Sequence, residues 1–504
     1  MTQHKPAKCL SVLGTGSDVG KSIVVAALCR IFSDLGVSVA PFKAQNMSNN
    51  SSVTDEGGEM GRAQVVQAQA ARIKPHTDMN PVLLKPSSQT GSQVILHGKP
   101  IYNVNARDYF KNTDELFKKS AESLSRLQNK YDLIIMEGAG SCGEVNLQNR
   151  DFVNFKTALL AKAPVILTAD IDRGGVFAQI IGTLAVIPQI HRDLVKGFII
   201  NRFRGDPSLF DDGIRYLEKE TRRPVLGLIP YYTNIKIDSE DSVPLEILVD
   251  PPESPEPDKA NIAVIRFPCI SNFTDFSPLE NDTQVRLHYL TRPRNLAGYN
   301  LVLLPGSKNV RSDLIWLKAS GWIDPIKTYS TMGGELGGIC GGYQILGGMI
   351  HDPGGVESIP GSDEGLGLLD LETTMEVDKT LSRSIGTWCN TGDVVEGYEI
   401  HMGVTKRMET LEPVIKMTSR NGTAISEDDG AISEDKKTWG TYFHGLFNNT
   451  GFRHNLLKRL LPSYSPNESS NLTINEFRNQ QYDLLADHFR QHMNVKAIRE
   501  MVNI

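Results

Sequence analysis

The chain has 504 residues, is 40% hydrophobic and 22% charged, and carries a formal net charge of −6. This length exceeds what one core supports and predicts two or three domains. Mixed charge without a basic stripe excludes a dedicated nucleic-acid surface, and no apolar run is long enough to span a bilayer. The polar start, MTQHKPAK, leads straight into a strand-like segment, so no signal peptide is expected. Six cysteines (Cys9, Cys29, Cys142, Cys269, Cys340, Cys389) are scattered without C-x-x-C spacing. That pattern suggests neither a disulfide framework nor a zinc site and points to a reducing, cytoplasmic setting.

In chain order, residues 8–14 are an apolar run that breaks into a glycine-rich turn, followed by a helical stretch over 21–35. Buried strands are expected at 38–42, 132–136, 164–169, 197–201 and 225–229. Continuous apolar strands separated by helical segments indicate a parallel sheet covered on both faces. At 248–260 the text becomes LVDPPESPEPDKA, rich in proline and acid. This places a first domain at 1–250, a linker at 251–260 and a second domain at 261–504. The second series opens with strands at 261–267, 300–304 and 335–339 and ends in a polar helical tail from about Arg453, with a loop near 462–471. The expected class is α/β: two domains, each with a mostly parallel sheet flanked by helices.

The first strand ends in Gly14-Thr15-Gly16-Ser17-Asp18-Val19-Gly20-Lys21-Ser22. Glycines let successive N–H groups curl around a phosphate, and the following helix adds its positive end. Lys21 reaches the outer phosphates and the Ser22 hydroxyl can ligate Mg²⁺. Five residues separate Gly14 from Gly20, one more than in the standard loop. This longer form resembles the dethiobiotin synthetase type, whose members activate carboxylates with ATP. The ATP-binding candidates are therefore Gly14, Thr15, Gly16, Asp18, Val19, Gly20, Lys21 and Ser22. Glu137, at the end of a predicted strand, is read as a second magnesium ligand or as a helix-capping acid. Lys43 either neutralises a transferring phosphoryl group or is a solvated lysine. Asn201 either reads the adenine edge or makes an ordinary Asn turn.

Gly337-Gly338-Ile339-Cys340-Gly341-Gly342 puts a cysteine between a predicted strand and a helix. Flanking glycines permit the sharp turn that exposes a nucleophile, and a helix N-terminus favours its thiolate. His444, about a hundred residues later, completes the residue pair needed for acyl-thioester chemistry. Backbone N–H groups at Gly306, in Leu304-Pro305-Gly306-Ser307, and at Gly341 are the oxyanion candidates. These motifs resemble class I glutamine amidotransferases, with one departure. That family follows its histidine with Pro-Glu, and here the carboxylate position is Leu446, so no third triad member is assigned.

Over nearly its whole length the chain resembles the glutamine-hydrolysing cobyric acid synthase family. The segments that carry this are PFKAQNMSNNS (41–51), EMGRAQVVQAQ (59–69), DMNPVLLKP (78–86), EGAGSCGEVN (137–146), DIDRGGVFAQ (170–179), SNFTDFSPL (271–279) and GYEIHMG (397–403). The resemblance implies ATP- and Mg²⁺-dependent amidation of the b, d, e and g carboxylates of adenosylcobyrinate a,c-diamide, with glutamine as nitrogen donor. Its partners are then small molecules only: corrinoid, glutamine and ATP. It also places Asp151 near the substrate, whereas His401 is read as structural. Polar segments at 45–50, 62–64 and 170–175 suit a multiply carboxylated ligand. The nearest rival is the sister enzyme that makes the a,c-diamide. From other classes, a partitioning-type ATPase switch would need no Cys340–His444 pair, and a corrinoid-binding protein would need neither centre to turn over.

Overall fold

A computed structural model describes residues 5–86, 91–109, 111–238, 240, 256–357 and 359–504. The proline-rich boundary expected at 248–260 lies outside the described residues as far as 255.

The first half builds a six-stranded sheet from β1 (Lys8–Gly14), β2 (Val39–Phe42), β3 (Leu133–Glu137), β4 (Val165–Asp170), β5 (Val195–Phe203) and β6 (Val225–Pro230). Its order is β6-β5-β4-β1-β3-β2, and every pairing is parallel. All residues of β3 and β4 are buried, as a sheet covered on both faces demands. Helix α1 (Lys21–Asp34) is apolar nearly all round because it packs between the sheet, α2 (Arg62–Ala70) and the C-terminal tail.

The second half repeats the design. Strands β7 (Ala260–Ile265), β8 (Val285–Leu290), β9 (Leu301–Leu304), β10 (Glu335–Ile339), β11 (Ala431–Ile432) and β12 (Thr438–Thr441) run in the order β8-β7-β9-β10-β12-β11, parallel except for β11. Helix α3 (Gly341–Leu346) follows β10. Among the elements outside the expected strands, two matter for the sites. A small sheet (Gln45–Met47, Val82–Pro86, Gly91–Leu96, Lys99–Asn105) projects from the first unit, and a long hairpin (Leu371–Trp388, Val394–Arg407) projects from the second. They meet where Lys379 of the hairpin donates to Gln93 of the small sheet at 3.4 Å, and beside them Lys379 pairs with Glu59, Arg383 with Asp55, and Tyr398 donates to the Ser51 carbonyl.

The tail, grouped with the second half by sequence order, divides in space. Helix α4 (Ile474–His492), opened by a Thr473/Glu476 capping box, and α5 (Val495–Val502) pack on the first unit. Tyr482, Leu485, Ala486, Phe489, Ile498 and Val502 share a core with α1, β1 and β6. Arg30, fully buried on α1, bonds Asp483 at 2.9 Å and the Asn479 side chain at 2.9 Å. A buried guanidinium left without these partners would carry a large desolvation cost, so the tail is an integral wall of the first unit. Phe489→Ala is expected to cost the first unit ~3–5 kcal/mol, seen as faster hydrogen exchange of α1 amides with β10 amides unchanged. Faster exchange confined to β10 would contradict this packing.

Candidate active sites

In β1, Val12 lies opposite Glu137 of β3, and Gly14 lies opposite Thr168 of β4. The glycine loop and the Glu137 carboxylate therefore emerge side by side at the carboxyl edge of the sheet, where open α/β sheets bind ligands. Gly20 sits at φ 96°, and a Cβ there would lie 2.1 Å from the Asn201 amide nitrogen. Only glycine serves at that point. Lys21 Nζ spans the loop, donating to the carbonyls of Gly16 at 2.9 Å and Gly140 at 2.8 Å. Burial, and then the neighbouring Lys43, lower its pKa against the pull of Glu137 and Glu240.

Glu137 is a buried hub. It accepts from Ser22 Oγ at 2.8 Å, Lys43 Nζ at 2.8 Å and Gln67 Nε2 at 2.5 Å. Glu240, absent from the sequence reading, joins it: its carboxylate accepts from Ser22 Oγ at 2.8 Å and Lys43 Nζ at 2.7 Å. Burial disfavours a charged Lys43, but the two carboxylates outweigh it and raise its pKa. Lys43 is thus no solvated lysine. Mg²⁺ takes few protein ligands and completes its shell with water and phosphate oxygens. A serine hydroxyl touching a carboxylate beside the phosphate loop fits that ion, so Ser22 and Glu137 can hold it.

Asn201 spends its amide on the Val19 carbonyl at 3.0 Å, bracing the loop from β5. Asp18 is held outward by Arg202 at 3.0 Å and Arg173 at 2.8 Å, and Thr15 donates to Gln179 at 3.1 Å. Asp151 accepts from Val153 N at 2.8 Å and Asn154 Nδ2 at 2.6 Å, and Asn154 clamps Ala139 of the strand-end turn. Asp151 also lines a cavity of about 420 Å³ with Gly140, Gln45, Tyr109, Arg150 and Phe152. Of the segments at 45–50 and 62–64, Gln45 and Met47 reach this cavity. Arg62 instead pairs with Asp238 at 2.5 Å, and Gln64 bonds Asn46 at 2.9 Å.

In the second unit, β10 lies between β9 and β12, with Leu304 opposite Gly338 and Ile339 opposite Thr441. The Pro-Gly-Ser turn, Cys340 and His444 consequently leave the sheet at one edge. Cys340 has φ 51° and ψ −106°, a conformation that L-residues rarely adopt. Such strain concentrates at functional turns. A Cβ on Gly341 would lie 2.8 Å from Ser307 N, and one on Gly306 would lie 3.2 Å from His444 Cε1. The Gly306-Ser307 turn therefore packs against both the Cys340 turn and the imidazole. Cys340 opens onto a cavity of about 40 Å³ lined also by Asn272, Lys308, Gln344, Lys379 and His401.

His444 is buried, its ring stacked on Tyr398, while the Cys340 thiol donates to the Ile400 carbonyl at 3.5 Å. The His444 Nδ1 lies 2.6 Å from Asp275 Oδ2, and Asp275 Oδ1 accepts from Gly445 N at 2.9 Å. Burial would lower the imidazole pKa. Asp275 and Cys340 reverse this and raise it to about 10. Leu446, in the family's carboxylate position, is buried apolar core. Asp275 takes the place from a turn 169 residues earlier. The signal was an acid within SNFTDFSPL whose neighbours Phe273 and Phe276 are core residues, but spacing along the chain could not link it to His444. His401 stacks on Tyr442 at 3.8 Å and bonds the Gly403 carbonyl through Nδ1 at 2.8 Å.

Residues 10–245 match the CobQ/CobB/MinD/ParA nucleotide binding domain, and residues 261–452 match the CobB/CobQ-like glutamine amidotransferase domain. A cobyric acid synthase of Chlorobium phaeobacteroides is 54% identical over 493 residues, 98% of this chain and 99% of that protein. Those of Syntrophobacter fumaroxidans and Jannaschia are 45% and 44% identical, covering 99% and 98% of this chain and 99% of each relative. With a nucleotide-binding unit and a glutaminase unit joined in one chain, the protein belongs to the cobyric acid synthase family and is an ATP-dependent, glutamine-hydrolysing amide ligase.

Proposed function

We propose that the chain converts the b, d, e and g carboxylates of adenosylcobyrinate a,c-diamide into carboxamides, in the cytoplasm, as a protein with an ATP domain, a linker and a glutaminase domain. The observation that carries this reading is the pairing of a buried Cys340–His444–Asp275 array with a phosphate loop facing Glu137. One centre releases ammonia and the other makes a leaving group for it to displace.

At the first centre, N–H groups of residues 14–22 and Lys21 hold the ATP phosphates, and Lys43 neutralises charge on the transferring group. Mg²⁺, when bound at Ser22 and Glu137, supplies positive charge at the phosphates. A substrate carboxylate oxygen bonds to the γ-phosphorus, and the bond to ADP breaks. Ammonia then attacks the acyl carbon and phosphate leaves. The cavity beside Asp151 has apolar walls (Leu84, Val104, Phe152) and polar groups at Gln45, Asn105 and Arg150, which suits an apolar ring carrying carboxylates.

At the second centre, the Cys340 thiolate bonds to the γ-carbonyl carbon of glutamine, and N–H groups at Gly306 and Gly341 receive the oxyanion. His444, kept as imidazolium by Asp275, gives its proton to the departing ammonia, then takes one from the water that cleaves the thioester. Asp275 keeps the ring oriented, as the third member of a triad does.

Mass spectrometry tests the overall reading. With ATP, Mg²⁺ and glutamine, the corrin product is expected to lose about one mass unit at each of about four steps, because each step replaces an activated hydroxyl by an amino group. Two steps starting from cobyrinic acid would favour the sister reaction instead. Cys340→Ala is expected to abolish glutamine-dependent amidation and spare ammonia-dependent amidation, while Lys21→Ala removes both; loss of both in the cysteine variant would refute the division of labour. Asp275→Asn is expected to lower glutaminase kcat by about 10²–10⁴. His444 has a raised pKa, so its charged form persists until pH climbs through about 10, which sets the alkaline limb of the glutaminase pH profile. Without Asp275 the largest contribution favouring the charged ring is gone, and the limb moves to lower pH. An unmoved limb would remove Asp275 from the array.

A further inference from the structure

Between the two centres lies a second buried charge cluster that neither chemistry uses. The Glu59 carboxylate, fully buried, accepts from Lys85 Nζ at 2.6 Å, Lys379 Nζ at 2.5 Å and Ser51 Oγ at 2.7 Å. Lys85 comes from the small sheet of the first unit and Lys379 from the long hairpin of the second. Their side chains are 3% and 4% exposed, and both line the cavity onto which Cys340 opens. The glutaminase cavity is thus walled partly by the other unit. Burial pushes the Lys379 ammonium down to about 7 against the pull of Glu59, so the position of Glu59 decides how much charge the hairpin lysine presents to this cavity.

Glu59 is also fastened to the ATP centre. Strand Glu59–Gly61 runs without a break into α2 (Arg62–Ala70), with Gly61 as its N-cap. Gln64 and Gln67 of that helix donate to Glu137 at 3.4 Å and 2.5 Å. Arg62 is clamped by Asp238 at 2.5 Å, two residues before Glu240, which bonds Ser22 and Lys43. A Cβ on Gly61 would lie 2.7 Å from Asn46 and 3.0 Å from Gln64, so the junction has no slack. Closely packed segments move as rigid pieces. A shift of Glu137 therefore reaches Glu59 along one helix and one strand.

We propose that Glu59 is a positioning residue that couples the centres: loading the ATP site sets α2, and through Glu59 sets Lys85 and Lys379 in the arrangement that hydrolyses glutamine. This inference rests on the two-centre reading above. Its use is that ammonia forms when an acyl phosphate waits for it.

The test compares the full-length parent with Glu59→Gln, measuring glutamate formed per amide formed and glutamine hydrolysis with and without ATP and adenosylcobyrinate a,c-diamide. In the variant, stimulation of glutamine hydrolysis is expected to fall by about tenfold, the glutamate-to-amide ratio to rise, and ammonia-dependent amidation to stay within about twofold. Lys379→Met, which leaves a neutral Lys85–Glu59 pair, is expected to shift the same ratio from the other unit. Retention of the parent's ratio and stimulation in either variant overturns the proposal. So does loss of ammonia-dependent amidation in both, since the cluster would then serve the fold alone. Failure of the underlying reading would differ: the parent itself would form no amide from either nitrogen source.

Discussion

The ATP centre depends on the compensation of one buried carboxylate. Glu137 has no exposed side-chain surface, and its partner Lys43 has 5%. An isolated ion in such a place is expensive, and a pair is tolerated only when its remaining hydrogen-bonding capacity is filled. Ser22, Gln64 and Gln67 fill it. Each comes from a different turn of α1 or α2, so satisfying the carboxylate also fixes where both helices sit against the sheet. The phosphate loop inherits its position from the same arrangement, because Ser22 is the last residue of the loop and lies in the first turn of α1.

The second centre uses the same logic with different chemistry. Asp275 is a buried acid satisfied by His444 Nδ1 and Gly445 N, and its charge holds the imidazole protonated beside Cys340. In both units the candidate site groups leave the carboxyl ends of neighbouring parallel strands. There the backbone turns outward and a helix N-terminus follows. A strained residue at φ 51° is sustained at Cys340 because β10 and α3 are buried on all sides and determine the turn between them.

The two units are not beads on a string. Residues 45–67 run between the centres: Asn50 accepts from Thr274 next to Asp275, Ser51 N donates to Asn272, and Ser48 donates to the Glu240 carbonyl. The tail then crosses back so that α4 buries Arg30 of α1. Each unit therefore contributes walls to the other's neighbourhood.

Local pattern alone determined a good deal. Continuous apolar strands, a glycine loop ending in Gly-Lys-Ser and a cysteine between glycines are short-range features, and β1, α1, β10 and the Cys340 turn sit where those features put them. What the chain pattern could not decide depends on distance in space. Asp275 reaches His444 across 169 residues, and Glu240 reaches Ser22 across 218. Helices α4 and α5 read as an appended polar tail because their buried stripe is narrow, and only packing assigns it to the first core. The small sheet and the long hairpin are not legible in the chain pattern because their strands mix polar and apolar residues without a strict alternation. Local pattern encodes which residues can act; the folded chain decides which of them meet, because a buried charge takes its partner from whatever the packing brings within about 3 Å.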